Sequence, residues 1–195
     1  MKSDVCKLSI NATDLDALLK ETVKAAAYRE LDEKETGRLR LLAEELVEML
    51  PELLRFSEGE FWVESANKNF ELHVSLSPNQ TLTAERRQKL LDVSTSKTNA
   101  AAVGIMAKIR LAAEFMLVDY EKSAGMSESF YIPGTPSVVS FADPLWTLNA
   151  YREGAKMAKG ETWDELEKSI VANLADDVVV SLQGKQVDIV VKKSF

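Results

Sequence analysis

Apolar and polar side chains alternate in "VCKLSI", Val5 to Ile10, which is the period of a half-buried strand. In the stretch that follows, Asn11 or Thr13 can cap a helix running to about Arg29, with Leu15, Leu18, Leu19, Val23 and Ala26 as its apolar stripe. A second helix begins within "LDEKETGRLRLLAEELVEML", where Asp32 and Glu35 have the spacing of a capping box. Its Leu39, Leu42, Ala43, Leu46 and Leu50 face one way, while Arg40, Glu44 and Glu48 face water. Pro51 ends or kinks this helix, and "ELLRF" adds another turn or two.

"EFWVESA" and "NFELHVSL" read as a β-hairpin around Asn67-Lys68-Asn69, with Phe70, Leu72, Val74 and Leu76 on one face of the second strand. The pattern then predicts a helix from about Thr83 to Asp92, the polar loop "STSKTN", and an amphipathic helix from Ala100 to about Val118. Glu121 to Ser140 is punctuated by Gly125, Pro133, Gly134 and Pro136 and reads as a long loop. "DPLWTLNAYREGAKMAKG" follows as a helix with Pro144 in its first turn, and "TWDELEKSIVANLADD" as another capped by Thr162. "VVVSL", a Gln183-Gly184 turn and "QVDIVV" close the chain as a second hairpin.

This order predicts an α+β fold: a two-layer α/β sandwich, its sheet mixed or antiparallel with helices on one face, and a helical central insertion. Residues 1–79 and 161–195 supply the two halves of one domain, and residues 80–160 form the insertion.

Composition narrows the chemistry. The chain has 195 residues, of which 46% are hydrophobic, enough for a sizeable core without disulfides. Its net charge of −7 excludes a nonspecific nucleic-acid binder, which needs a basic footprint. Cys6 has no cysteine partner, and His73 is the only histidine, so neither an internal disulfide nor a histidine-rich metal site can form. The opening "MKSDVCKLSI" has no apolar segment of signal-peptide length. The most apolar stretch, Ala100 to Val118, is interrupted by Lys108, Arg110 and Glu114, so no membrane span is expected. A cytoplasmic location follows as the expectation.

The element order, together with "LDEKETGRLRLLAEELVEML" and "ANLADDVVVSLQGKQVDIVVKKSF", resembles the histidine-kinase-like ATPase fold, and within it the anti-sigma-factor serine kinase branch. These stretches and the opening strand and helix cover about half the chain. The resemblance implies that Glu45 matches the glutamate that orients or activates the attacking group. It places Met49 where an asparagine would ligate magnesium; a thioether is a poor ligand for that ion. Ser75 or Ser77, followed by Pro78, stands where an aspartate beside glycines would contact adenine. Between Gly59 and Gly104 there is no glycine to build a phosphate-cradling lid, and Asp164, Glu165 and Glu167 crowd the start of the closing helix where phosphate would sit.

Other conspicuous residues read as structural. Cys6 lies in a strand as a buried, inert thiol, and His73 alternates with core positions as an exposed or edge residue. "STSKT" lacks the glycines of a phosphate loop. No catalytic triad or metal cluster can be assembled.

The resulting expectation is a degenerate histidine-kinase-like domain with no cofactor, acting as a non-catalytic regulatory or protein-binding module. Its remnant pocket would comprise Glu45, Met49, Ser75 and Ser77, and its partner would be a protein or a second copy of the chain. Phe130, Tyr131, Trp146 and Tyr151 would serve as interface anchors. The alternative is a divergent kinase or ATPase that binds ATP with magnesium, with Glu45 as general base and Lys97 or Lys108 on the phosphates.

Overall fold

A computed structural model of the chain describes residues 1–9, 13–48, 56–78, 109, 129–131, 138–140, 145–158, 169–183 and 186–195. Its elements are strand β1 (Cys6–Leu8), helices α1 (Leu15–Tyr28) and α2 (Glu33–Glu48), strands β2 (Phe56–Ala66) and β3 (Asn69–Pro78), and the short strands β4 (Ser129–Tyr131), β5 (Val138–Ser140) and β6 (Leu145–Thr147). Helices α3 (Leu148–Ala158) and α4 (Ile170–Leu174) follow, then strands β7 (Asp177–Gln183) and β8 (Gln186–Ser194). Six strands form one antiparallel sheet in the order β1-β2-β3-β8-β7-β6, and β4 pairs with β5 in a separate two-stranded sheet. The fold is α+β, as the element order predicts, and its sheet is antiparallel throughout.

Strand register explains why the sheet has one apolar face. Cys6, Phe61, Val74, Ile189, Val180 and Trp146 stand in a row across all six strands. Leu8, Gly59, Leu76, Val187 and Leu182 form the row on one side of it, and Val63, Leu72, Val191 and Val178 the row on the other. The apolar side chains of these rows, Cys6 apart, are buried in one cluster with Leu18 and Ala26 of α1, Leu39, Leu42 and Leu46 of α2, and Val171 of α4. Each such side chain contributes about 1.5–3 kcal/mol by leaving water. A one-residue slip of any strand would turn its whole set outward, so the register is strongly specified.

The helices are fixed by local bonds. Asp14, not Asn11 or Thr13, caps α1 by accepting from the Ala17 N–H at 2.9 Å. Thr13 instead bonds back to Ser9, and Asn11 lies outside the described residues. The buried stripe of α1 runs through Leu18, Leu19, Thr22, Ala25 and Ala26, whereas Val23 is exposed. The capping box at α2 forms as its spacing predicts: Glu35 N–H donates to Asp32 Oδ1 at 2.7 Å, and Asp32 N–H to Glu35 Oε2 at 3.0 Å. Arg29 then ties the end of α1 to the sheet by donating to Ser65 O at 2.6 Å and Ser65 Oγ at 3.0 Å.

The segment after residue 120 departs from its sequence reading. Ser129–Tyr131 and Val138–Ser140 pair as strands within the stretch read as a loop. Leu145–Thr147, read as the first turn of a helix, is the edge strand β6 on β7, and the helix starts only at Leu148. Leu145–Thr147 and the buried Leu148 and Tyr151 therefore join the main sheet and core. Trp146 and Tyr151 are fully buried, so they hold the core together and cannot anchor an interface. The helices expected at 83–92 and 100–118, the Thr162 cap and the Gly184 turn lie outside the described residues, Ile109 excepted; Ile109 is helical and buried. Among the described residues no helix is long and apolar enough to cross a membrane.

Candidate functional site

The residues singled out by the resemblance are distributed over both sides of the sheet. Glu45 sits half-buried on α2, between the buried Ala43 and Leu46. Ser75 and Ser77 are half-buried on β3, but they alternate with the buried Val74 and Leu76 and so project from the face opposite the helices. Ser75 stands in the row Lys7, Glu60, Ser75, Asp188, Ser181 and Leu145, and Ser77 pairs with Glu58. The serines are thus brought together with each other and with carboxylates, not with Glu45. Met49, Lys97, Lys108, Asp164, Glu165 and Glu167 lie outside the described residues.

Cys6 occupies the core-side row and is half-buried. Burial pushes its thiol upward, and the nearby carboxylates of Glu21, Asp14 and Asp4 push it further. Such a thiol is disfavoured as a thiolate nucleophile.

The polar face of the hairpin holds a constellation that spacing alone did not reveal. A two-residue turn at Asn67 and Lys68, with Asn67 at φ 55°, sets Glu64 across from Glu71 and Trp62 across from His73. Asparagine tolerates this left-handed backbone better than most residues. His73 and Glu71 are two residues apart on β3, so both point to this face. His73 is not an edge residue: its strand lies between β2 and β8, and its side chain is only 17% exposed. The imidazole stacks on the Trp62 indole, with ring centroids 4.9 Å apart and planes 5° from parallel.

Charges around this pair are balanced. Trp62 Nε1 donates to Glu64 Oε1 at 2.8 Å, and Lys2 Nζ lies 3.4 Å from the same oxygen and 4.3 Å above the indole. Lys192 Nζ lies 3.6 Å from Glu71 Oε1, and His73 Nε2 lies 3.3 Å from Glu71 Oε2. The indole N–H is the main reason Glu64 titrates below the usual carboxylate range, ahead of its attraction to His73 and Lys2. Beside the cluster opens a cleft of about 490 Å³, lined by Met1, Lys2, Glu64, Ala66, Asn69 and Glu71 among others. The signal for this arrangement was the hairpin itself: once the turn is placed at Asn67-Lys68, the cross-strand partners follow.

No protein-family model, curated protein or solved structure matches this chain.

Proposed function

We propose that the chain is a degenerate histidine-kinase-like ATPase domain that acts as a non-catalytic regulatory module and binds a protein partner. The observation that carries this reading is the separation of Glu45, on the helical side, from Ser75 and Ser77, on the opposite face. A nucleotide gripped by all three would have to pass through a sheet whose interior is packed with Leu72, Val74 and Leu76.

The scaffold half of the reading rests on topology and sequence together. A strand, two helices and a hairpin are followed, much later, by a second hairpin whose β8 pairs with β3. Helix α2 keeps Leu39, Leu42 and Leu46, and Met49 is the residue in the sequence where the resemblance puts the magnesium ligand. The partner would engage the region between residues 80 and 160, where Phe130 and Tyr131 are aromatic residues of the interface-forming type. Self-association is the second form of the same reading.

Incubation with radiolabelled ATP and magnesium tests it, comparing wild type with Glu45→Gln for hydrolysis and phosphotransfer. Both proteins are expected to match a protein-free blank. Turnover by wild type that Glu45→Gln abolishes would establish the divergent-enzyme alternative instead.

A further inference from the structure

We propose that Glu64, Glu71 and His73 form a binding site for a borderline divalent cation of the zinc class. The site lies on the sheet face away from α2 and does not depend on the regulatory reading. Each residue offers one ligand atom, and these atoms all lie within 4.8 Å of one another. Two of them are already at ligand spacing: His73 Nε2 and Glu71 Oε2 are 3.3 Å apart. Two donors each about 2 Å from a tetrahedral zinc are separated by about 3.3 Å. The third ligand needs only a side-chain adjustment of Glu64.

That contact is not an ordinary hydrogen bond. His73 Nε2 is shielded from solvent and has no hydrogen-bond partner among the described residues, despite the nearby carboxylate oxygen. A shielded ring nitrogen without a bond is costly to leave so, and a cation would satisfy it. Glu64 and Glu71 are also like charges paired across two strands, an arrangement that destabilises a sheet unless something offsets it. Lys2 and Lys192 do so now, but their side chains are 53% and 47% exposed, and such pairs contribute at most about 1 kcal/mol. A divalent ion can displace them at little cost.

The surroundings resemble the outer shell of a metal site. The Trp62 indole fixes the imidazole plane by stacking, and its N–H orients Glu64 through Oε1, which leaves Oε2 as the oxygen to offer a metal. The cleft beside Glu64 and Glu71 gives an entry path. One imidazole with two carboxylates suits zinc better than magnesium or calcium, which favour oxygen ligands alone.

The test is calorimetric titration of the full, untagged chain with zinc chloride, in a Cys6→Ser background so that the thiol cannot compete. One zinc per chain is expected, with a change in tryptophan emission because the ligating ring stacks on Trp62. His73→Gln and Glu71→Gln should each weaken binding by at least about tenfold, the scale on which even outer-shell changes act. Millimolar magnesium should not displace the zinc. Where either variant fails to fold, Glu64→Gln decides, since its amide oxygen can still accept from Trp62. Absence of zinc binding, undiminished binding in the variants that fold, or displacement by magnesium would each overturn the proposal.

Discussion

Gly59 on β2 stands across from Leu76 on β3, and a Cβ at Gly59 would lie 2.7 Å from Leu76 Cδ2 and 3.0 Å from the Ser75 carbonyl oxygen. The side chain could give way; the backbone oxygen could not without moving the strand. Gly59→Ala is therefore expected to cost about 1–3 kcal/mol, the usual range for overpacking. Gly37, exposed in α2, has nothing within 4 Å of its added Cβ, so Gly37→Ala should stabilise by about 0.5–1 kcal/mol through helix propensity. Urea unfolding of the two variants should move the midpoints in opposite directions.

Glu30 ends α1 in the left-handed region, at φ 56°. Leu31 N–H donates to Ala26 O at 3.1 Å and Glu30 N–H to Ala27 O at 3.0 Å, the paired bonds of a helix C-terminus that favours glycine. Glu30→Gly should raise stability by up to about 1 kcal/mol by removing a Cβ from that conformation. Thermal melts would detect the gain; a loss would mean that the Glu30 side chain stabilises the turn.

Acid should weaken the fold through carboxylates held below their ordinary range. Glu35 is lowered by the Asp32 N–H and then by Lys68, and Glu64 chiefly by the Trp62 indole. For Asp176, burial pushes upward, but Lys193 and the Ser194 N–H outweigh it. Because the folded-state values are depressed, the stabilisation is complete above the ordinary carboxylate range and disappears as pH falls through the lowered values. The melting temperature should therefore hold above about pH 5 and drop below about pH 4. Asp176→Asn should melt below wild type at neutral pH, modestly because the Asp176 side chain is 43% exposed, with the gap closing in acid.

Much of this architecture was legible because long elements repeat their period many times. Val74 and Leu76 alternate with Ser75 and Ser77, and Leu39, Leu42 and Leu46 recur at helical spacing, so face and element agreed with the structure. Strand β6 was not legible, since three residues cannot display an alternation. Thr147 and Asp177 then start α3 where sequence suggested Pro144: Thr147 Oγ1 accepts from Ala150 N–H at 3.2 Å and Asp177 Oδ1 from Asn149 N–H at 3.0 Å. Asp177 is 28 residues away from Asn149, a partnership that no local pattern encodes. The Glu64, Glu71 and His73 cluster was hidden for a related reason. Its members are ordinary surface types whose meaning depends on which residues the hairpin sets opposite each other.

The central proposal is that Glu45, Ser75 and Ser77, which stand on opposite sides of the sheet, do not form one nucleotide site. Its most direct test is the melting temperature of the wild-type chain in millimolar ATP with excess magnesium. A ligand at a hundred times its dissociation constant would add about 2.7 kcal/mol, which raises the melting temperature of a chain this size by roughly 5–11 °C. The account expects no rise, for wild type and equally for Met49→Asn, because an asparagine at that position does not bring Ser75 and Ser77 to the side of Glu45. A rise of several degrees in wild type that Glu45→Gln removes would contradict it.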